Sequence, residues 1–256
     1  MRKVIVLLDI GNTHTHLGLA NPRRVVRQAE LPTAAWFNRE AAERVERFTG
    51  RARPEGVAFC SVVPRATPRV WRFVSRRWHL EPLELTAQTV SGIGIDYPKP
   101  ETIGADRLAN AVAARHYFGA PVVVLDFGTA LTFDVVDHHG RYVGGVIAPG
   151  LSAMTEYLHE KTALLPRITL RDVKVAIGRS TEQAMLIGAV HGYRGLVREV
   201  IAKLKRELKC RRLPVVATGG YAKLLADKLT EITAVRPRLT LEGLRLVWAG
   251  RSVPLL

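Results

Sequence analysis

The sequence predicts an α/β protein built from two related lobes, and three observations support this fold class. A short pattern of apolar run, Asp, apolar residue and Gly occurs twice, at residues 7–15 and at residues 124–132. Each copy continues into a second strand-like run, at residues 17–19 and 133–136, which is typical of a β-hairpin. Residues 214–220 form a third pattern, an apolar strand that ends in a Gly-Gly turn before another helix.

The elements of the N-terminal half follow from hydrophobic periodicity and from Pro and Gly punctuation. A hairpin is expected at residues 1–20, followed by a helix, a strand and an Arg-rich helix at residues 38–47, 57–63 and 65–78. Pro and Gly interrupt residues 80–103, and a long irregular segment of this kind is typical of a binding loop. A helix is then predicted from Ala105 to Tyr117.

The C-terminal half repeats the plan. Strand, turn and strand are predicted over residues 121–136, with a tight turn at residues 138–141. Residues 144–151 lead into a helix, and residues 180–208 form a long helical region interrupted by Gly188, Gly192 and Gly195. No low-complexity linker separates the halves, so the expected lobes are residues 1–118 and residues 119–256.

Composition excludes several classes of protein. A chain of 256 residues suits two modest domains, and a hydrophobic content of 47% supports real cores. Cys60 and Cys210 are isolated in sequence, which argues against a disulfide framework and fits a reducing cytoplasm. The N-terminal apolar run stops at Asp9, so no signal peptide is expected, and no apolar stretch is long enough to span a membrane.

The formal net charge is +15, and the basic excess is mostly arginine. An arginine stripe with helical spacing consists of Arg65, Arg69, Arg72 and Arg76. Such a stripe fits either a nucleic-acid surface or a solvated helix face in an Arg-rich protein. We favour the solvated face, because no nucleic-acid-binding module accompanies the charge, and we expect no nucleic-acid partner.

The repeated turn carries its own chemistry. Its glycine allows close approach of another group, its amides and hydroxyls suit phosphate oxygens, and its carboxylate suits a hydrated Mg2+. Neither a P-loop nor a dinucleotide-binding fingerprint occurs in the chain. Two such turns predict a nucleotide cleft between the lobes.

The segment Gly104-Ala105-Asp106-Arg107 lies at the start of a predicted helix. An acidic residue in the first turn of a helix complements its dipole, which is a purely structural explanation. An Asp placed between two phosphate-type turns can also accept a proton from a substrate hydroxyl, and the adjacent Arg can bind a carboxylate.

The paired turns and the late Gly-Gly turn resemble those of the actin, sugar-kinase and chaperone ATPase superfamily, which has two lobes with mixed sheets. A more specific resemblance rests on motifs in a fixed order, at residues 9–13 (Asp-Ile-Gly-Asn-Thr), 97–107 (Tyr-x-x-Pro-x-x-x-Gly-Ala-Asp-Arg), 126–130 (Asp-Phe-Gly-Thr-Ala), 144–151, 165–166 and 177–181 (Ile-Gly-Arg-Ser-Thr). The ordered set resembles the type III pantothenate kinases. This resemblance implies two actin-like (ribonuclease H-like) lobes and ATP-dependent phosphorylation of pantothenate to 4'-phosphopantothenate, the first step of coenzyme A biosynthesis.

The resemblance also implies roles for individual residues. Asp106 is the proton acceptor, Asp126 ligates a monovalent cation (K+ or NH4+), and Asp9 holds Mg2+ through water. The residues implied in ATP binding are Asp9, Ile10, Gly11, Asn12, Thr13, His14, Thr15, His16 and Thr129. Those implied in pantothenate binding are Tyr97, Gly104, Ala105, Asp106, Arg107 and Thr181, with Thr181 in a pocket at a homodimer interface.

Three departures from the family pattern are Ser180 in place of Asn, Lys99 before Pro100, and Tyr221 after Gly220. None of them removes a residue assigned to catalysis. His14 and His16, near the proposed phosphates, and the turn pair His138-His139 lack converging metal partners, and we expect solvated or hydrogen-bonded histidines. Two alternatives stay open: a kinase for another small hydroxy acid, and a catalytically weak basic regulatory or nucleic-acid-binding relative.

Overall fold

The computed structural model describes residues 4–38 and 40–251. The strands are β1 (Ile5–Ile10), β2 (His14–Ala20), β3 (Val25–Pro32), β4 (Gly56–Ser61), β5 (Leu83–Glu84), β6 (Gly94–Ile95), β7 (Val122–Phe127), β8 (Ala130–Val136), β9 (Arg141–Pro149), β10 (Val215–Thr218) and β11 (Ala234–Val235). The α-helices are α1 (Glu40–Thr49), α2 (Thr67–Trp78), α3 (Ala105–Phe118), α4 (Leu151–Lys161), α5 (Thr181–Ile187), α6 (Tyr193–Glu207), α7 (Ala222–Ala226) and α8 (Leu239–Gly250).

The chain forms two compact units. The first contains the residues up to Gly119, the short stretch Gly140–Val143 and the residues from Arg238 onward. The second contains Ala120–His139 and Gly144–Pro237. The chain thus returns to the first unit twice after residue 119. The expected lobes, residues 1–118 and 119–256, do not include these two returns.

The first unit is built on a five-stranded sheet in the order β3-β2-β1-β4-β5. β1, β2 and β3 pair antiparallel as a meander, whereas β4 pairs parallel with β1, and β5 with β4. The parallel pairs require crossover connections, which here contain α1 and α2. β6 pairs parallel with the Arg141-Tyr142 stretch of the same unit.

The two faces of this sheet are packed by different helices. Alternating residues of β1 and β4, such as Leu8 and Phe59, join the core that contains Val45 of α1 and Val70 of α2. The residues between them face the other way, and a Cβ on Gly56 would overlap the ring of Trp248 in α8. Because side chains alternate along a strand, Asp9 and Cys60 belong to this second face.

The C-terminal helix α8 packs on α3 within the first unit. A Cβ at Gly243 would come within 1.9 Å of the Ala109 carbonyl oxygen, so glycine permits the two helices to touch. Thr240 Oγ1 also donates to Asn110 Oδ1 at 2.8 Å. This contact explains why the chain returns to the first unit after residue 237.

The second unit repeats the topology of the first. Its strands lie in the order β11-β10-β7-β8-β9, with β7 and β8 antiparallel and with β10 parallel to both β7 and β11. β7, which carries Asp126, takes the place of β1, which carries Asp9. β8 and β9 then correspond to β2 and β3, and β10 and β11 correspond to β4 and β5. The two mixed sheets, each with its helices, confirm the predicted fold class.

Most predicted elements are present, with differences at several places. The helical region at 180–208 is confirmed as α5, a π-helical turn at Gly188–Gly192, and α6. β3, the short strands β5, β6 and β11, and α8 were not predicted. The residues before Gly150 form the end of the long strand β9, which begins at Arg141.

Candidate active site

The first Asp-Gly turn connects β1 to β2. Asp9, at the end of β1, is only 9% exposed, while Asn12, Thr13 and His14 at the tip of the turn are exposed. The Gly11 N–H donates to the His14 carbonyl at 3.0 Å. Thr33 fastens the turn from the side, because its Oγ1 donates to the Gly11 carbonyl at 2.7 Å and its N–H donates to the Thr13 carbonyl at 2.9 Å.

The strand residues of this predicted ATP segment divide between the two faces of the sheet. Ile10 is fully buried in the apolar core, and the Thr15 hydroxyl accepts a hydrogen bond from Trp36 Nε1 at 3.1 Å. His16 lies opposite Asp9 in the antiparallel register, with Glu30 3.8 Å from its Nδ1. Burial lowers the pKa of His16, whereas the nearby Glu30 carboxylate acts to raise it. The side chains of Ile10 and Thr15 therefore support the turn from the core.

Asp9 and Asp106 come together on the face of the sheet that packs against α3. Asp9 pairs in parallel register with Cys60 on β4, and Cys60 Sγ lies 3.3 Å from Asp9 Oδ1. Asp106 occupies the first turn of α3, near enough to Cys60 to raise the pKa of that thiol. The fold thus brings the predicted metal carboxylate and the predicted proton acceptor to one site.

The environment of Asp106 shifts the pKa of its carboxyl upward. Burial raises its pKa, and hydrogen bonding and charge from Arg107 act in the opposite direction. The Arg107 N–H donates to Asp106 Oδ1 at 2.8 Å. A Cβ at Gly104 would come within 2.6 Å of that oxygen, so the glycine before the helix leaves room for the carboxylate.

An aromatic and basic surface adjoins Asp106. The Arg107 guanidinium lies 5.8 Å from the centre of the Tyr142 ring, and Tyr97 packs edge-on against Tyr142 with their centres 6.2 Å apart. Arg141 binds Asp96 at 2.9 Å and ties the segment before Tyr97 to β9. Gly104, Ala105 and Arg107 adjoin Asp106 in the chain, and Tyr97 joins this cluster through Tyr142. Their roles in binding pantothenate stay predictions.

The second Asp-Gly turn connects β7 to β8. The Asp126 carboxylate lies against the Gly-Gly turn, because a Cβ on Gly219 would come within 2.5 Å of Asp126 Oδ1. Gly219 has a φ of +91°, a conformation that other residues adopt at a cost. The Tyr221 N–H donates to the Phe127 carbonyl at 3.3 Å and completes this contact.

Thr129 is exposed in the same turn, and its carbonyl accepts from the Gly150 N–H at 3.1 Å. Gly150 precedes α4, and the Tyr193 hydroxyl donates to the neighbouring Pro149 carbonyl at 2.8 Å. The second unit thus places Asp126, Thr129 and the Gly-Gly turn around one point of its sheet.

Thr181 is exposed as the first residue of α5. The preceding Ser180 is the N-cap, and its Oγ accepts from the Gln183 N–H at 3.2 Å. Ser and Asn are equally good at this position, which explains why Ser180 preserves the local structure. Gln183 Oε1 in turn accepts from the Arg179 N–H at 2.8 Å.

The side chains at this site suit a metal ion whose other ligands come from water and a bound nucleotide. Within residues 4–38 and 40–251, no group of three His, Cys, Asp or Glu side chains converges to hold a metal ion. Asp9 provides one buried carboxylate at the phosphate-type turn, and Mg2+ commonly uses one or two carboxylates together with water and phosphate oxygens. Asp9 therefore fits Mg2+ brought by a nucleotide.

Comparison with known proteins identifies the family. Residues 5–203 match the family model of type III pantothenate kinase. A type III pantothenate kinase of Methylacidiphilum infernorum is 44% identical over 246 residues, which cover 95% of this chain and 87% of the relative. One from Akkermansia muciniphila is 45% identical over 242 residues, covering 94% and 96%.

The chain belongs to the type III pantothenate kinase family.

Solved structures support the actin-like fold of this family member. A Listeria monocytogenes protein assigned as an N-acetylmannosamine kinase has a TM-score of 0.56 at 11% identity, covering 98% of this chain and 100% of that one. The ethanolamine utilization protein EutJ of Carboxydothermus hydrogenoformans has a TM-score of 0.55 at 17% identity, covering 96% and 90%. At these identities the likeness concerns the fold alone.

Several residues of this pantothenate kinase site were not predicted from the sequence. Cys60, Tyr142, Tyr193 and Thr218 are all buried beside the predicted residues. Thr218 is the last residue of an apolar strand, and Cys60 is the last but one, as Asp9 and Asp126 are in theirs. This common position was an available signal. Tyr142 and Tyr193 carried no local signal, because tertiary packing alone brings them to the site.

Proposed function

We propose that this protein transfers the γ-phosphoryl group of ATP to the primary hydroxyl of pantothenate and forms 4'-phosphopantothenate, the first step of coenzyme A biosynthesis. The observation that carries the proposal is the convergence of Asp9 and Asp106 at the Cys60 position, in a chain of this family. Asp9 is assigned to the Mg–ATP complex, and Asp106 is assigned to the hydroxyl group of pantothenate.

Asp106 accepts the proton of the attacking hydroxyl. Its carboxylate is oriented by the Arg107 N–H and accommodated by Gly104, and both contacts fix its direction at the start of α3. A positioned acceptor of this kind contributes about 10²- to 10⁴-fold in rate. In phosphoryl transfer, positioning and electrostatics supply most of the acceleration, so the rigid helix start matters more than basicity.

Pantothenate presents a carboxylate, an amide and hydroxyls. The Arg107 guanidinium, held by Tyr142, provides a planar partner for the carboxylate. Tyr97 adds an aromatic wall with a hydroxyl, while Gly104 and Ala105 leave backbone space beside Asp106. Thr181, at the capped start of α5, provides a further hydroxyl.

The two Asp-Gly turns bind ATP. The exposed amides and side chains of Asn12, Thr13, His14 and His16 contact phosphates, and Ile10 and Thr15 hold the turn in shape. Thr129 contributes from the second turn. Asp9 would hold Mg2+ through water, and the ion would supply positive charge against the phosphates.

The carboxylate of Asp126 is the ligand of a monovalent cation, K+ or NH4+. Asp126 is half-buried, and its Oδ1 lies against the backbone of Gly219. A large and weakly hydrated cation held by Asp126 would lower the repulsion among the phosphates. Activity is therefore expected to depend on K+ and to be poorly supported by Na+.

The protein is proposed to work as a homodimer in the cytoplasm. Large apolar side chains are exposed in the second unit, namely Ile147, Tyr157, Leu158, Leu164, Val175 and Ile177. Such a set is typical of an interaction surface, and Ile177 is close in sequence to Thr181. Both cysteines are free, which fits a reducing compartment. No helix of the described residues is long and apolar enough to cross a membrane.

The deciding experiment is a coupled assay of ADP release with purified protein, ATP, Mg2+ and K+. Pantothenate should support turnover, and mass spectrometry should detect 4'-phosphopantothenate. Replacing K+ by Na+ should lower the rate, and Asp126→Ala should be slow in either salt. Turnover with a different hydroxy acid but none with pantothenate would favour the alternative kinase.

A further inference from the structure

We propose that Cys60 is a positioning residue whose thiol donates a hydrogen bond to Asp9 and fixes the carboxylate that meets the Mg–ATP complex. This inference rests on the proposed ATP-dependent function. It assigns a task to a buried cysteine that takes no part in the transfer itself.

The geometry of the sheet places the thiol beside the carboxylate. Cys60 and Asp9 are register partners on the parallel strands β4 and β1, and both side chains face α3. Cys60 is fully buried, and its Sγ lies 3.3 Å from Asp9 Oδ1, within reach of a hydrogen bond that involves sulfur.

The chemistry of the thiol suits a neutral donor. An ordinary cysteine thiol is protonated at neutral pH, so it can donate through its S–H. A Lys or Arg at this position would bind Asp9 and cancel the charge needed for Mg2+. A thiol orients the carboxylate and leaves its charge available, because S–H is a weak donor.

The internal repeat provides an independent observation. In the second unit, Thr218 on β10 is the parallel register partner of Asp126 on β7, and Thr218 is also buried. The same strand pair of the same topology therefore places a neutral donor side chain opposite the Asp in both units. If these residues served packing alone, a donor side chain opposite the Asp would not be expected in both units.

The test compares Cys60→Thr with Cys60→Val. Thr and Val have nearly the same shape and differ in the donor hydroxyl, so effects of packing cancel between them. Binding of ATP is measured by calorimetry across a Mg2+ titration, and thermal unfolding confirms that each variant is folded. The matched control is Cys210→Val, which changes the other free cysteine, on the loop after α6.

We expect Cys60→Thr to bind Mg–ATP within about twofold of the wild type. Cys60→Val should require about three- to tenfold more Mg2+, the range expected for a weak hydrogen bond to a charged group. Affinity for ATP measured without Mg2+ should change little, and Cys210→Val should match the wild type.

Equal Mg2+ requirements in the Thr and Val variants would overturn the proposal and leave Cys60 as a packing residue. If either variant fails to fold, the pair Cys60→Ser and Cys60→Ala applies the same comparison. The readout is nucleotide binding, so it is independent of the acceptor substrate. A protein that binds Mg–ATP in a Cys60-dependent way but ignores pantothenate would refute the proposed function alone.

Discussion

At the scale of single residues, burial governs the behaviour of Asp106. The carboxyl loses water contacts at the start of α3, and its pKa is raised although Arg107 opposes the change. The folded protein therefore holds this proton more tightly than the unfolded chain does. Between the ordinary pKa of Asp and the raised value, stability falls as the pH rises, because the native state is the one that binds more protons.

Asp106→Asn should separate activity from stability. The kcat should fall about 10²- to 10⁴-fold because the proton acceptor is lost, while the KM for ATP should change little. At neutral pH the unfolding temperature should stay the same or rise, because an ionised buried carboxylate has been removed. Steady-state kinetics and calorimetry measure both effects.

The pH profile provides the complementary check on Asp106. The carboxylate is the active form, so kcat should fall as the pH is lowered through a value above the ordinary range of Asp. A wild-type kcat in the Asn variant would show that Asp106 takes no part in proton transfer.

At the scale of elements, turns and caps hold the site residues. The Asp126 turn and the Gly-Gly turn fit together because Gly219 has a positive φ and no side chain. The α5 cap at Ser180 fixes the direction of Thr181. In both cases a residue that performs no chemistry sets the position of one that is proposed to do so.

Gly219→Ala tests the fit of the second turn. The substitution forces a left-handed conformation on Ala, at about 1–2 kcal/mol, and its methyl group would meet Asp126 and Phe127. The unfolding free energy should fall by at least this amount, and the KM for ATP should rise.

The adjacent Gly220→Ala is the matched control. A Cβ at Gly220 meets no described atom within 4 Å, so stability and kinetics should stay near the wild-type values. Equal behaviour of the two variants would mean that the close fit at Gly219 is unimportant.

At the scale of the whole molecule, the repeated topology and the surface both carry information. The two sheets share one strand order around an Asp-bearing strand, which is the structural counterpart of the repeated sequence pattern. The surfaces of the two units differ in character. Among the described residues, most of the large apolar side chains that are exposed lie in the second unit. The arginine stripe (Arg65, Arg69, Arg72, Arg76) lies on and beside α2 of the first unit.

Tyr157→Glu tests the proposed dimer surface. Tyr157 is 61% exposed on α4, so a charge there should leave the fold intact. Light scattering should show a shift from dimer toward monomer, with a higher KM for pantothenate.

The control for Tyr157→Glu is Val26→Glu, at an apolar residue of β3 in the first unit that is 50% exposed. This variant should remain dimeric. A fully active wild-type monomer would refute the dimer proposal directly.

The arginine stripe should prove dispensable for kinase activity. The Arg65 and Arg69 guanidiniums stack on Phe37 at 5.5 and 5.4 Å, so replacing all four arginines by Gln should cost roughly 0.5–1 kcal/mol per lost cation–π contact. The kcat should change less than twofold, as coupled assays can show. Tight, salt-sensitive RNA or DNA binding that disappears in the variant would instead support a regulatory role.

Local sequence patterns were enough to predict the repeat, the main strands and helices, and the motifs of the family. These features depend on local patterns: alternation in the hairpins, helical periodicity in residues 105–117, and glycine at the turns. Asp106 at a helix start was predictable for the same reason. The short strands β5 and β6 are two residues each and carry no periodicity, and β3 was obscured by its polar residues.

Which residues became neighbours depended on long-range packing, which local patterns do not encode. Cys60 and Asp9 are 51 positions apart in sequence and meet through the parallel register of β4 and β1. Tyr142 reaches Arg107 because the chain returns to the first unit at Gly140–Val143, and α8 returns there because Gly243 can touch Ala109. Local pattern fixes how each segment folds, whereas strand register and side-chain packing between distant segments fix the distances and burial on which the chemistry of the site depends.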